Sequence, residues 1–303
     1  MIPTAFKNFL WSAASRVYLH GLCPWELQDD WVLIERREMP LANLGAGLDG
    51  AMLVHLSDLH LSPITSEKHL DRIIDLVNGL EPDFVAITGD FITASARHYA
   101  RRAGDVVGRL RPKVATVGCL GNHDYGIWKP DFHAEVRGLA DYLTGQLEAG
   151  GVGVLNNEVQ TVVRDGARVH LVGVGDLWTT DYRPEAAFAH IDPADPIIAL
   201  CHNPDAGRDL AAFGADFILA GHTHGTSIPD NRLGHFLFPA EHPDYISGQY
   251  RVGGDRQMYV NRGIGHARRV HPDHRPEVTI FTLRRRAGAA QTSGQAVAAV
   301  GLA

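Results

Sequence analysis

A chain of 303 residues that is 45% hydrophobic and 21% charged has an ordinary globular composition, which excludes wholesale disorder and fibrous repeats and allows one large domain. A formal charge of −7 argues against nucleic-acid binding through broad phosphate neutralisation. Three scattered cysteines (Cys23, Cys119, Cys201) indicate neither a disulfide framework nor a thiolate zinc site and fit a reducing compartment, whereas 17 histidines exceed what packing needs.

In chain order, Ile2, Phe6, Phe9, Leu10, Ala13 and Val17 recur at helical spacing and predict an amphipathic N-terminal helix. It packs on its own domain or rests on a membrane. Two basic residues, Lys7 and Arg16, favour the first, because each is worth only about 1 kcal/mol near anionic lipid. No secretory signal and no apolar run of about 20 residues is seen. The expected location is cytoplasmic, with peripheral contact through residues 1–20 at the inner membrane face as the alternative. The predicted division is an N-terminal segment over 1–50, one domain over 51–286, and a disordered tail over 287–303, which lacks charge and aromatics.

Short apolar runs ending in polar loops predict buried strands at 51–57, 84–88 and 114–118, and apolar spacing near 3.6 predicts helices at 66–80 and around 96–110. This β-α-β-α-β alternation implies right-handed crossovers and a largely parallel sheet covered by helices. Shorter strands at 159–163, 169–174, 197–200, 216–220, 257–261 and 278–283 predict a second sheet packed on the first. Asn203 as cap and Pro204 at the first helical position predict a helix over 203–214.

In open α/β sheets ligands gather at the carboxyl ends of strands, and those ends carry the unusual residues here. Asp58 and His60 alternate on an extended segment and so point to one side, although surface caps account for most such pairs. Gly89 permits a tight turn before Asp90, whose two oxygens can bridge two ions, or simply cap a helix. In 121-GNHDY-125, Asn122 offers an amide oxygen, His123 is free to act on substrate, and Asp124 can orient its ring; the competing reading is a turn without chemistry. His202 follows a strand, and His222 and His224 stand two apart among small residues, which core packing does not explain. Mixed Asp, Asn and His donors suit Mn, Fe or Zn better than Ca.

Taken in order, Asp58-x-His60, Gly89-Asp90, Gly121-Asn122-His123-Asp124, His202 and Gly221-His222-x-His224 resemble the signature of the calcineurin-like metallophosphoesterases, over roughly residues 51–283. The resemblance implies an α/β fold, a four-layer α/β/β/α sandwich with two packed mixed sheets. It implies two divalent ions (Mn, Fe or Zn), one on Asp58, His60, Asp90 and His224, the other on Asp90, Asn122, His202 and His222, with Asp90 bridging. It further implies hydrolysis of a phosphodiester or pyrophosphate by in-line attack of a metal-bridging hydroxide, with His123, aided by Asp124, at the leaving group.

The Asp-Arg-Gly that follows Gly-Asp in protein Ser/Thr phosphatases is missing from 89-GDFITASAR-97. The phrases 57-SDLHLS-62, 201-CHNPD-205 and 260-VNRGIG-265 are instead similar to a bacterial phosphodiesterase branch that includes UDP-2,3-diacylglucosamine pyrophosphatases, so a small-molecule or lipid-linked phosphoester is the expected substrate. That branch has Gly-Gly-Gln where this chain has Gly225-Thr226-Ser227. Within a basic cluster that includes Arg268, Arg269, Arg275 and Arg284, Arg262 is the candidate for gripping substrate phosphate. The alternatives are a phosphomonoesterase, a nuclease, or a non-catalytic scaffold, the last disfavoured because every ligand position is filled.

Overall fold

Two six-stranded mixed sheets face each other in this computed structural model, which describes residues 32–62, 65, 67–93, 97–127, 136–225, 245–265 and 275–286. The first sheet has the order β1 (Leu33–Leu41), β12 (Glu277–Arg285), β2 (Met52–Leu56), β3 (Phe84–Thr88), β4 (Ala115–Cys119), β5 (Val152–Val154). The second has the order β10 (Gly248–Gly253), β11 (Arg256–Val260), β9 (Phe217–Ala220), β8 (Ile197–Leu200), β7 (Ala167–Gly173), β6 (Glu158–Arg164). Most neighbours are parallel; β12–β2, β10–β11 and β6–β7 run antiparallel.

Strand side chains alternate between two apolar layers. On one face of the first sheet, Val54, Leu56, Val85 and Ile87 pack with Ile73 and Val77 of α1 (Glu67–Gly79), Ala103 and Val107 of α2 (Arg97–Val107), and Leu143 of α3 (Leu139–Ala149). On its other face, Leu53, Phe84, Ala86 and Phe281 meet Ile198, Phe217 and Leu219 of the second sheet. The outer face of the second sheet is covered by Ala187 of α4 (Pro184–Phe188) and Leu210 and Ala211 of α5 (Gly207–Phe213). The result is the expected α/β/β/α sandwich. At its centre Phe281 is fully buried and stands edge-on to Phe217 at 5.4 Å and Tyr259 at 5.3 Å between centroids. Phe281→Ala should therefore lower unfolding stability by about 3–5 kcal/mol, read from the urea midpoint, because the two flanking aromatic rings cannot collapse into the void.

The fold reaches back beyond residue 51. Strand β1 pairs parallel with β12 from Leu33↔Glu277 to Leu41↔Arg285, and Met39, Leu41, Leu44 and Leu48 are buried between the sheets. Its charged stretch, Glu35 to Glu38, is tolerated because β1 is an edge strand. Strand β12 joins the first sheet, not the second, placing Phe281 opposite Leu53 of β2. The segment after Asn203 begins as a 3-10 turn over Pro204–Ala206, with the Asn203 side chain accepting from the Asp205 N–H, and continues as α5. The predicted N-terminal helix, Thr226, Ser227, Arg268, Arg269 and the 287–303 tail lie outside the described residues. Among the described residues no helix is long and apolar enough to cross a membrane.

Candidate metal centre

The loops after β2, β3 and β9 hold five non-glycine residues in left-handed backbone: Asp58 (φ 51), His60 (φ 49), Asp90 (φ 53), His222 (φ 74) and His224 (φ 54). Each such residue costs of order 1–3 kcal/mol and persists only where its surroundings fix it. Backbone bonds supply that fixation. Asp58 N–H donates to Gly89 O (3.0 Å) and His60 N–H to Asp90 O (2.8 Å), while Ile264 and Gly265 N–H clamp the carbonyls of Ser57 (2.9 Å) and Asp58 (2.7 Å) from the other side. The loops approach too closely for side chains at two glycines. A Cβ on Gly221 would fall on Ser57 Oγ and Asp58 Oδ2, and one on Gly121 on Asp90 Oδ1.

This packing brings together the carboxylates and imidazoles of the expected ligand set. Donor atoms of Asp58, His60 and His224 lie within 4.8 Å of one another, as do those of Asp58, Asp90 and His202 and those of His60, Asp90 and His123. Asp90 is central: Oδ1 accepts the His123 N–H at 2.9 Å, and Oδ2 lies 3.2 Å from His202 Nε2, 3.5 Å from His60 Nε2 and 4.0 Å from His123 Nε2. Around it, His60 Nε2 and His224 Nε2 face each other at 3.0 Å, and His222 Nδ1 faces His202 Nε2 at 3.2 Å.

Outer partners orient these rings and amides. His202 Nδ1 lies 2.9 Å from the Thr88 carbonyl, which can only accept, so Nδ1 carries the proton and Nε2 presents its lone pair inward. His60 Nδ1 meets Thr93 Oγ1 at 2.7 Å. Asp58 Oδ2 accepts from Ser57 Oγ (2.5 Å) and His222 N–H (3.0 Å), whereas its buried Oδ1 has no hydrogen bond. Asn122 gives its amide N–H to Ile127 O at 2.7 Å, which fixes the amide's orientation and leaves the buried Oδ1 without a donor. Buried acceptors of this kind are costly unless a cation or water meets them.

Without ions the centre is electrostatically frustrated. Burial opposes charge on Asp90 and His202 alike, yet their contact prevails in both, holding the carboxylate well below and the imidazole well above their usual ranges. Burial pushes Asp58 up to about 6 and Asp124 up to about 8, with the Asp90 charge adding to both, and burial pushes Asp176 up to about 6. Acids whose pKa is raised on folding stabilise the protein below their unfolded value, near 4, and lose that contribution as pH rises through 6 to 8. In EDTA the melting temperature should therefore be lower at pH 8.5 than at pH 5. Added Mn²⁺ should raise it more at pH 8.5, where protons no longer compete for the carboxylates. Differential scanning fluorimetry checks this, and a larger Mn²⁺ effect at pH 5 would contradict it.

One expected role is corrected. Asp124 does not orient the His123 ring: its oxygens accept the N–H groups of Ile92 (3.2 Å) and Gly121 (2.9 Å), so it ties the 3-10 turn Asn122–Tyr125 to the loop after β3. Arg262 reaches the centre's edge, its stem lying across Gly225, and its Nη1 is engaged at 3.2 Å by fully buried Glu277, which holds the guanidinium in place. Glu277 in turn accepts from Tyr259 OH (2.7 Å) and Thr279 Oγ1 (2.6 Å). The sequence reading also passed over Asp176 and Trp178 after β7. Asp176 is buried with Oδ2 lacking a hydrogen bond, and the indole of Trp178 stands at 90° to the His222 ring, 4.7 Å between centroids. The signal was present, since 173-GVGD-176 repeats the strand-Gly-Asp pattern of Gly89-Asp90.

A family profile described as calcineurin-like phosphoesterase matches residues 52–226, more than half the chain and the span that carries every candidate ligand of this centre. The chain belongs to that family. It is thus a metallophosphoesterase, a metal-binding hydrolase of phosphoric esters. It is 32% identical over 243 residues to an uncharacterised metallophosphoesterase, YkuE, of Bacillus subtilis, covering 78% of this chain and 80% of that protein. It is 25% identical over 296 residues to the UDP-2,3-diacylglucosamine pyrophosphatase LpxG of Chlamydia muridarum, covering 84% of this chain and 90% of that protein. It is 29% identical over 233 residues to the phosphodiesterase YaeI of Escherichia coli, covering 76% of this chain and 81% of that protein.

Proposed function

We propose that this metallophosphoesterase hydrolyses a phosphodiester or pyrophosphate bond in a small-molecule or lipid-linked substrate, using two divalent ions of Mn, Fe or Zn. One ion is held by Asp58, His60, Asp90 and His224, the other by Asp90, Asn122, His202 and His222. The observation that carries this reading is the pair of facing imidazoles. His60 with His224 at 3.0 Å and His202 with His222 at 3.2 Å each oppose two ring nitrogens across a gap that needs a proton or a cation, and Asp90 lies between the two gaps. The hydrogen-bond-free oxygens of Asp58 and Asn122 supply one further donor to each set.

Bound ions supply the Lewis acidity and the activated water that phosphoester cleavage requires near neutral pH. The chain's own residues do the rest. Asp90 offers Oδ2 to both sides while its Oδ1 is anchored by His123 N–H, so the bridge cannot swing away. His123 is 9% exposed, against 1% for His60 and His202, and in this reading its Nε2 proton passes to the departing oxygen. The diester and pyrophosphate class is supported by the names of the Chlamydia and Escherichia relatives and by the absence of the Ser/Thr-phosphatase block after Asp90.

Metal analysis of purified protein, followed by initial rates on bis-p-nitrophenyl phosphate, p-nitrophenyl phosphate and UDP-2,3-diacylglucosamine, tests the reading. Two ions per chain with faster cleavage of a diester or pyrophosphate are expected; turnover of the monoester alone would replace it with a phosphomonoesterase. A lipid-linked substrate also places the enzyme at the inner face of a membrane, and liposome flotation with and without residues 1–20 measures that contact.

A further inference from the structure

One wall of the centre is built by the loop between β7 and α4, which carries none of the family's sequence blocks. The loop is rigidly tied. Asp176 Oδ1 accepts the Trp178 N–H at 2.9 Å, and Thr179 Oγ1 donates to the Asp176 carbonyl at 2.8 Å. At the far end the Asp181 carboxylate accepts from Tyr125 OH at 3.3 Å and its carbonyl from Asn157 Nδ2 at 2.7 Å. Asn157 Oδ1 takes the N–H groups of Gly175 (3.2 Å) and Arg183 (2.9 Å), closing the loop at its base. Because Tyr125 ends the 3-10 turn that carries Asn122 and His123, the loop is registered to the centre itself.

Between these anchors Trp178 packs against the core under the first sheet's helices and presents its indole perpendicular to the His222 ring. His202 contacts the same ring at 5.0 Å and 80°. His222 is thus an imidazole on strained backbone, more exposed than His202 and in edge contact with two rings. We propose that Trp178 is a positioning residue: its indole holds the His222 imidazole so that Nδ1 stays beside His202 Nε2, and thereby sets the affinity of the second ion. The inference rests on the two-ion reading above. Removing the indole takes away one of the contacts that fix this ring, and losing an outer partner of a metal ligand weakens affinity by roughly 10–100-fold.

The test titrates the full-length metal-free protein with Co²⁺, following visible absorption and bound metal, for wild type, Trp178→Leu and Trp178→Phe. Leucine keeps apolar bulk against the core, so the variant retains its packing while losing the ring. Wild type should bind two ions. Trp178→Leu should bind the first unchanged and the second at least tenfold more weakly, with altered d–d bands, and Trp178→Phe should stay within about threefold of wild type for both. Equal second-ion affinity in wild type and Trp178→Leu would overturn the proposal, as would equal weakening of both ions or a Phe variant as weak as the Leu one. A wild type that binds fewer than two ions would instead remove the two-ion reading beneath it.

Discussion

Asp90→Asn is expected to abolish hydrolysis, with the rate falling by roughly a thousandfold or more and bound metal dropping below two ions per chain. The argument is geometric. Asp90 Oδ1 is fixed by the His123 N–H, so an asparagine that keeps this bond through its carbonyl must turn its NH₂ toward His60 Nε2 and His202 Nε2. A donor then stands where cations should be, and the negative charge that offsets them is gone. Removing one preorganised electrostatic group from a dry site commonly costs 10²–10³ in rate, and this one serves both ions. Plasma emission analysis of bound metal alongside steady-state kinetics measures both effects. Near-normal turnover with two ions bound would show that Asp90 does not bridge.

The ladder of Asp58, Asp90, Asn122, His202, His222 and His224 was legible because β2, β3, β4, β8 and β9 are short, largely apolar runs whose carboxyl ends are abrupt. Parallel topology then does the assembly without any further signal in the sequence. Strand β1 was not legible, because LIERREMPL buries only its last turn-ward residues, Met39 and Leu41, and leaves its charged middle on an edge. Nor was the place of β12, since strand order depends on which distant surfaces pair, and nothing near Phe281 specifies Leu53 as its partner.

Individual roles were harder to read than membership. Asp124 sits beside His123 in sequence, yet its carboxylate faces the backbone N–H groups of Gly121 and Ile92, a choice made by the tight turn rather than by proximity. Arg262 reads as a phosphate-gripping candidate, and nothing near it in sequence shows that the fold buries Glu277 against it. Trp178 reads as a packing residue until its loop is tied to Tyr125 through Asp181 and its ring meets His222. In each case the deciding partner is remote in sequence or is main chain, and neither leaves a pattern in side-chain identity.

His123→Ala separates the ligands from the proton donor. The variant should keep both ions and lose about 10²–10⁴ in rate on substrates with basic leaving groups, and much less on p-nitrophenyl esters, whose leaving group needs no proton. The structure makes the outcome informative because His123 also lies within 4.8 Å of His60 and Asp90 donor atoms and so has the reach of a ligand. Two features argue that it serves the substrate instead. Its Nε2 is 4.0 Å from Asp90 Oδ2, farther than the corresponding atoms of His60 or His202, and its side chain is 11% exposed where that of His202 is completely buried. A leaving-group plot of log rate against leaving-group pKa should therefore steepen in His123→Ala while bound metal stays at two. If the slope is unchanged and one ion is lost, His123 belongs to the ligand set, and the proton must reach the leaving oxygen by another route.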